Sequence, residues 1–209
     1  MPIIIYGNEI AKEELAFDLT QQAIIWVNDI RQFHQYTTAD AFIDLQFRNS
    51  TDRIATLQSL LPKPVIINSV IDTLAETNPS FIRINAWPSF LQSPLIEASA
   101  VDEDMKRKVA QLFGAFNKQI QWLPDEPGFV TPRVISMIIN EAYLALSEGV
   151  STKEEIDIAM KLGTAYPYGP FDWSRKMGLK NIASLLLKLS HRQKRYRPCN
   201  LLLQEAGLA

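Results

Sequence analysis

Residues 125–130 read Asp-Glu-Pro-Gly-Phe-Val, and the hydrophobic pattern of the chain changes at this point. Before it, short apolar runs alternate with polar stretches, a pattern typical of alternating strands and helices. After it, apolar residues recur at helical spacing and no convincing strand follows. We therefore predict two domains, an α/β domain over residues 1–124 and an all-α domain over residues 125–209.

Short runs rich in Ile, Val and aromatic residues predict the strands of the first domain. They are Ile3–Tyr6, Ala23–Val27, Ala41–Leu45, Val65–Ile67, Phe81–Ile84 and Ile120–Leu123. Helical stripes between them run from Ile54 to Leu61, ahead of Pro62, and from Met105 to Phe116. Because several runs are apolar on both faces, we expect a mostly parallel sheet covered by helices.

The second domain opens with a strongly apolar helix. Thr131 is a predicted cap before Pro132 at the first helical position, and the apolar spacing continues to Gly149. This helix is apolar over most of its circumference, so several neighbours must cover it. A small domain can supply only part of that cover, and a second chain could supply the rest.

Two further helices are predicted in the second domain. Ser151 and Glu154 have the spacing of a capping box, and Gly163 stands where a left-handed residue would end the helix. The segment Tyr166–Pro170 is rich in proline and glycine and predicts a fixed loop. Another helix is predicted from about Gly178 to Ser190.

The composition excludes several classes of protein. The chain has 209 residues, of which 47% are hydrophobic and 21% charged, so it can bury a core without disulfides or metal. A formal net charge of −2 provides no overall positive field for nucleic acid or an anionic membrane. Cys199 is the single cysteine, and with His34 and His191 it forms no zinc-ligand pattern, so no metal site is predicted. No apolar run is long enough to span a membrane, and we expect a cytoplasmic protein.

From residue 125 onward, an ordered series of short motifs resembles the C-terminal domain of the 3-hydroxyacyl-CoA dehydrogenases. The series comprises Pro127–Val130, Arg133, Asn140–Ala142, Glu148–Val150, Ile156–Met160, Gly163, Tyr166–Pro167, Gly169–Phe171, Gly178–Leu179 and Arg195–Pro198. Each motif alone is weak, because Gly and Pro occur in any loop, but their order and spacing are kept across residues 125–203. The resemblance implies a preceding Rossmann-type domain that binds NAD, an acyl-CoA substrate between the domains, and a homodimer formed through the C-terminal helices.

The first domain resembles that NAD-binding domain in outline, and we predict a shortened, degenerate Rossmann-like fold. A dinucleotide turn requires three glycines after the first strand and an acidic residue about 20 residues further on. Gly7 supplies the first glycine and Asp29 the acidic residue, so these are the predicted cofactor-binding residues. The other glycine positions hold Glu9 and Lys12. The Glu9 carboxylate opposes a pyrophosphate sterically and electrostatically, and Lys12 could offset this in part.

The resemblance places the predicted catalytic residues at Glu97, Asn85 and Ser69. In the family a His acts as general base on the substrate hydroxyl, and a Glu twelve residues later orients it. Glu97 matches the Glu, but Asn85 stands at the His position, and an amide neither accepts nor releases a proton near neutral pH. The family's Ser corresponds to Val70 in strict register and to Ser69 after a slip of one residue. The family's catalytic Asn falls on Pro132, which has no side-chain hydrogen-bonding group.

We expect a pseudoenzyme of fatty acid metabolism: a 3-hydroxyacyl-CoA dehydrogenase relative that has lost efficient NAD-dependent oxidoreductase activity and serves as an acyl-CoA-binding, regulatory or assembly module. The alternative is an active NAD-dependent dehydrogenase with a repositioned base. A basic cluster near the C-terminus could bind the phosphates of coenzyme A, or it could be a solvated face that complements a helix dipole. It comprises Lys188, His191, Arg192, Lys194, Arg195 and Arg197.

Overall fold

The computed structural model describes residues 2–15 and 23–209. Its contacts divide the chain into two compact units, Met1–Phe129 and Val130–Ala209, which we call the N-terminal unit and the C-terminal unit. The division therefore follows Phe129, whereas the sequence places a domain boundary between residues 124 and 125.

The stretch before Val130 stays with the N-terminal unit because it is bound there. Asp125 forms an ion pair with Arg83 at 2.6 Å. The backbone amide of Gly128 donates to the Val70 carbonyl at 2.7 Å. These contacts explain why the compact unit extends beyond the point where the hydrophobic pattern changes.

In the described residues, seven strands form one sheet in the N-terminal unit. They are β1 (Ile3–Tyr6), β2 (Ile24–Val27), β3 (Ala41–Asp44), β4 (Val65–Asn68), β5 (Ile82–Ile84), β6 (Leu95–Ser99) and β7 (Gln119–Trp122). The strand order is β2-β1-β3-β4-β5-β6-β7, and all neighbours are parallel except β5 and β6. The predicted Rossmann-like, mostly parallel sheet is confirmed.

Helices cover both faces of this sheet. They are α1 (Glu9–Glu14), α2 (Thr51–Gln58) and α3 (Glu103–Gly114), with 3-10 helices at Ile30–Gln35 and Leu74–Glu76. Ile3 and Ile5 of β1 belong to one buried cluster with Phe113 of α3, whereas Ile4 belongs to a second cluster with Leu57 of α2. Burial on both faces explains the unbroken apolar run of β1, in which each buried Ile contributes about 1.5–3 kcal/mol.

The strand β6 is missing from the strands predicted above. It pairs antiparallel with β5 and parallel with β7, inside the sheet. Its central residue, Glu97, is only 8% exposed. A buried carboxylate interrupts the apolar pattern by which the other strands are recognised, so periodicity alone did not find this one.

The C-terminal unit is built from helices, as predicted. They are α4 (Thr131–Ser147), α5 (Lys153–Thr164), α6 (Pro170–Met177), α7 (Leu179–Ser190) and α8 (Asn200–Glu205), with a 3-10 helix at Lys194–Tyr196. The central helix α4 packs against α6, α7 and α8, which cover much of its apolar surface. The sequence analysis did not predict α6 and α8 as helices. No helix in the described part of the chain has the length and apolarity needed to cross a membrane.

Two predicted helix ends are wrong by one or two residues. The helix α4 begins at Thr131 itself, and Val130 occupies the cap position without a side-chain hydrogen bond. Gly163 lies inside α5, and the left-handed residue that ends this helix is Ala165, with φ of 56°. A left-handed conformation costs an alanine roughly 1–2 kcal/mol, which tertiary packing can offset, so the helix can end at Ala165 instead of Gly163.

The predicted capping box of α5 is also shifted by one residue. The cap is Thr152, and its partner is Glu155 rather than Glu154. Ser151 is not the cap, because its hydroxyl donates instead to the Glu155 carboxylate at 2.6 Å. Hydrogen bonds from Ser151 and Thr152 lower the pKa of Glu155.

Candidate active site

Asn85 and Glu97 form a buried hydrogen-bonded pair where β5 ends beside β6. The Asn85 backbone amide donates to the Glu97 carbonyl at 2.9 Å, and its side-chain amide donates to the Glu97 carboxylate at 3.1 Å. The two residues are 3% and 8% exposed. The antiparallel pairing of β5 and β6 thus brings two of the predicted site residues into direct contact.

This pair can orient a polar group but offers no base at position 85. The Asn85 side-chain oxygen accepts a hydrogen bond from the Trp87 backbone amide at 3.4 Å, so the side chain is held at both ends. A neutral amide takes up no proton near pH 7. The arrangement therefore positions a donor and an acceptor without providing a proton relay through Asn85.

The polar residues that follow β4 are engaged by the protein itself. The Ser69 hydroxyl donates to the Asp72 carbonyl at 2.7 Å and closes a turn. The Asn68 side chain donates to the Leu45 and Ala86 carbonyls at 3.1 and 3.2 Å and accepts from the Ala86 amide at 3.1 Å. It thereby ties together the ends of β3, β4 and β5. The Ser69 hydroxyl proton is used in this hydrogen bond and is not donated to a ligand in this arrangement.

The turn after β1 does not fit a pyrophosphate. A Cβ atom on Gly7 would lie 2.8 Å from the Trp26 ring, so this glycine makes room for a side chain of β2. Asn8 caps α1 through its side-chain oxygen. Glu9 occupies the first helical position and pairs with Lys12 at 2.6 Å. A phosphate approaching the first turn of this helix would meet a carboxylate.

The Asp29 carboxylate is held by Arg31. Asp29 caps a 3-10 helix, accepting from the Arg31 backbone amide at 2.9 Å and from its Nε at 2.9 Å. The hydrogen bonds from the Arg31 side chain lower the pKa of Asp29 to about 2. These oxygens already accept charge-assisted hydrogen bonds, so a ribose hydroxyl that donates to them would compete with Arg31.

A buried arginine that the sequence analysis missed joins the loop after β4 to the 125–130 stretch. Arg83 lies on β5, is fully buried, and donates to the Asp125 carboxylate at 2.6 Å, to the Ser69 carbonyl at 3.1 Å and to the Glu126 carbonyl. Its guanidinium carbon lies 4.2 Å from the centre of the Phe129 ring. Burial lowers the pKa of Arg83, and the charge of Asp125 opposes this effect. The only sequence signal is a charged residue in the middle of an apolar strand.

Asn140, from the motifs that carry the resemblance, has a structural role in the C-terminal unit. Its side chain donates to the Arg197 carbonyl at 3.2 Å and accepts from the Cys199 amide at 2.8 Å. Asn140 is 4% exposed, so these bonds fix the segment before α8 onto α4. Pro132, at the position of the family's catalytic Asn, is buried in the first turn of α4.

Asp157 and Gly169, from two other motifs, also have a structural role, because they hold α5 against the start of α6. The buried Asp157 carboxylate accepts from the backbone amides of Phe171 and Asp172 at 2.8 and 3.1 Å, and so caps α6. A Cβ atom on Gly169 would lie 2.3 Å from Asp157 Oδ1 and 2.5 Å from its Cα. Glycine at position 169 is thus required by the close approach of α5.

The basic cluster lies at the end of α7 and in the 3-10 helix that follows it. Lys194 and Arg197 from this cluster line a cavity of the C-terminal unit. Among the residues that the structure describes, no group of three or more His, Cys, Asp or Glu side chains could hold a metal ion.

Known sequences resemble this chain over both units. Residues 128–206 match the sequence profile of the family described as 3-hydroxyacyl-CoA dehydrogenase, C-terminal domain. The 3-hydroxyadipyl-CoA dehydrogenase of Escherichia coli (strain K12) is 34% identical over 179 residues, covering 81% of this chain and 36% of that protein. The probable 3-hydroxybutyryl-CoA dehydrogenase of Bacillus subtilis (strain 168) is 30% identical over 165 residues, covering 73% of this chain and 58% of that protein. The chain thus spans only 36% to 58% of the length of these relatives.

Solved structures show the same fold. The crystal structure of (S)-3-hydroxybutyryl-CoA dehydrogenase PaaH1 from Ralstonia eutropha has a TM-score of 0.75 at 19% identity, over 99% of this chain and 93% of that chain. The crystal structure of 3-hydroxybutyryl-CoA dehydrogenase from Escherichia coli K12 has a TM-score of 0.60 at 34% identity, over 68% of this chain and 31% of that chain.

The N-terminal unit is Rossmann-like and the C-terminal unit is helical, as in the solved (S)-3-hydroxybutyryl-CoA dehydrogenase structure. The chain belongs to the 3-hydroxyacyl-CoA dehydrogenase family. The family predicted from the motifs of residues 125–203 is therefore confirmed.

Proposed function

We propose that this chain is a pseudoenzyme of its family, which binds an acyl-CoA ligand in the cytoplasm without transferring hydride to or from NAD. The observation that carries the proposal is the hydrogen bond between Asn85 and Glu97, in which the carboxylate has an amide partner where the family's mechanism needs a base. Loss of a positioned general base costs about 10²–10⁴-fold in rate. The Glu97 carboxylate accepts a hydrogen bond from the Asn85 side-chain amide, whereas in the family it orients an imidazole.

Weak binding of NAD is the second part of the proposal. Three features support it: the space beside Gly7 is taken by Trp26, Glu9 stands at the helix N-terminus, and Arg31 occupies the Asp29 carboxylate. The Trp26 ring fills space, the Glu9 carboxylate repels phosphate, and Arg31 competes for Asp29, each at a position that a dinucleotide contacts in a Rossmann-type turn. Both the position of the general base, residue 85, and the dinucleotide-binding turn after β1 differ from what the family's mechanism requires. Restoring only one of them would therefore not restore turnover.

An assay of acetoacetyl-CoA reduction tests the proposal. We expect no oxidation of NADH above the buffer rate at high protein concentration, either for the chain or for the Glu97→Gln variant. The exposed Glu103→Gln variant is the matched control. Turnover by the parent chain above the buffer rate would overturn the proposal. Loss of that turnover in Glu97→Gln but not in Glu103→Gln would assign the activity to this site.

An active NAD-dependent 3-hydroxyacyl-CoA dehydrogenase is the second candidate function. The names of the curated relatives favour it, since those at 34% and 30% identity are both described as dehydrogenases. It also accounts for the retention of a buried Glu97. This candidate requires a base other than residue 85, and the assay above distinguishes it from the pseudoenzyme.

We further propose that the chain forms a homodimer through its C-terminal helices. The helix α5 exposes Ile158 and Leu162, which lie one turn apart and are 54% and 84% exposed. Exposed apolar side chains on one helix face are typical of an interface. We expect light scattering to give the mass of a dimer, and Leu162→Glu to give a monomer. Val101→Glu, at an exposed valine of the N-terminal unit, should leave the dimer intact; a monomeric parent chain would contradict the proposal.

A further inference from the structure

A cavity within the C-terminal unit is lined by two members of the basic cluster and by none of the predicted catalytic or cofactor-binding residues. It has a volume of about 480 Å³, within the range of small-molecule sites. The end of α7, the 3-10 helix after it and the first turn of α8 form its walls. Its lining residues include Leu187, Lys194, Arg197, Pro198, Asn200 and Leu203.

One part of this cavity is apolar. Pro198 is buried, and Leu187 and Leu203 are half-buried, so their side chains present hydrocarbon to the cavity. Transfer of an alkyl chain from water onto such a surface is favourable by about 0.8 kcal/mol for each buried methylene group. The apolar part therefore favours a ligand with a short hydrocarbon chain.

The lining of the cavity also includes two cationic side chains. Lys194 and Arg197 are exposed, and neither has an acidic partner among the described residues. The whole stretch 179–204 contains no Asp or Glu, although the chain carries a net charge of −2. Asn200 is exposed and adds a side-chain amide to the lining. Two cations and an amide donor beside an apolar surface suit an anionic head group.

We propose that this cavity binds a small amphiphilic anion, whose carboxylate or phosphate head contacts Lys194 and Arg197 and whose alkyl chain packs on Leu187 and Leu203. A nucleic acid fits less well, because the aromatic residue of this segment, Tyr196, is only 5% exposed and offers no face for base stacking. The proposal is independent of any dehydrogenase activity, since none of these residues belongs to the candidate active site.

Isothermal titration calorimetry of the full chain tests the proposal with octyl phosphate and octanoate as probes. We expect saturable binding of both, and at least tenfold weaker binding of inorganic phosphate, which lacks the chain. Arg197→Gln and Lys194→Gln should each weaken octyl phosphate binding by about tenfold. Lys180→Gln is the matched control, because it removes an exposed charge from the same acid-free stretch but outside the cavity, and it should change the affinity less than twofold.

Several results would overturn the proposal. Absence of saturable binding, or equal binding of inorganic and octyl phosphate, would show that the apolar part takes no ligand. Equal losses of affinity for octyl phosphate in Lys180→Gln and Arg197→Gln would show that binding depends on general electrostatic attraction and not on this cavity. Preference for vesicles containing phosphatidic acid, or for single-stranded DNA, over octyl phosphate would assign the cations to a membrane or a nucleic acid instead.

Discussion

Replacing Arg83 by methionine is expected to destabilise the N-terminal unit by about 3–5 kcal/mol. The guanidinium is fully buried and donates to the Asp125 carboxylate and to the carbonyls of Ser69 and Glu126. Methionine fills a similar volume but removes the donor of the two carbonyls. It also removes the opposite charge beside the Asp125 carboxylate, which would keep its hydrogen bonds from the Leu74 and Ala75 backbone amides. Urea denaturation followed by tryptophan fluorescence measures the loss, because three of the four tryptophans belong to this unit.

The matched control is Arg107→Met. Arg107 pairs with Asp104 at the surface, where its side chain is 72% exposed, so its loss should cost less than about 1 kcal/mol. The double variant Arg83→Met with Asp125→Leu should not recover this stability, because Asp125→Leu also removes the acceptor of the Leu74 and Ala75 backbone amides. A single Arg83→Met variant as stable as Arg107→Met would contradict the structural role assigned to this arginine.

Replacing Gly169 by alanine is expected to destabilise the C-terminal unit by about 3 kcal/mol. The added methyl group would lie 2.3 Å from Asp157 Oδ1 and 2.5 Å from its Cα, and backbone cannot yield as a flexible side chain can. The expected loss combines the strain of overpacking with disruption of the cap of α6. Hydrogen exchange read by mass spectrometry should show faster exchange in peptides of α5 and α6.

Gly163→Ala provides the opposite expectation at a neighbouring glycine. Gly163 lies inside α5, and a Cβ atom there would have no heavy atom within 4 Å. Alanine in a helix interior is favoured over glycine by about 0.5–1 kcal/mol, so exchange in α5 should slow. Equal effects of the two substitutions would contradict the view that only Gly169 is required by packing.

The fold could be predicted largely from hydrophobic pattern. The runs Ile3–Tyr6 and Val65–Ile67 are recognisable because both faces of their strands are buried, and the long stripe of α4 is recognisable because three helices pack around it. The strand β6 was not predicted, because the buried Glu97 carboxylate interrupts its apolar pattern. The helices α6 and α8 are short and are fixed mainly by tertiary contacts such as the Asp157 cap, which periodicity does not reveal.

The candidate site could be predicted only in part. The resemblance indicated Asn85 and Glu97, and the structure places them in contact. No local pattern indicates that Arg31 binds Asp29 or that Trp26 packs on Gly7. The contact of Arg83 with a residue 42 positions away is likewise set by sheet topology rather than by neighbours in sequence.

Three residues from the motifs that identify the family have structural roles. Asn140 holds the segment before α8, Asp157 caps α6, and Gly169 allows two helices to approach. These contacts are needed whether or not the protein catalyses a reaction. Matching motifs in the C-terminal unit therefore establish family and fold, and by themselves they do not establish activity.

A calorimetric titration of the intact chain with NADH and, separately, with acetoacetyl-CoA tests the central claim most directly. We predict saturable binding of acetoacetyl-CoA and no saturable binding of NADH below millimolar concentration, because the turn after β1 carries Glu9 where a pyrophosphate would lie. Tight, saturable binding of NADH would contradict the account, as would the absence of any binding of acetoacetyl-CoA.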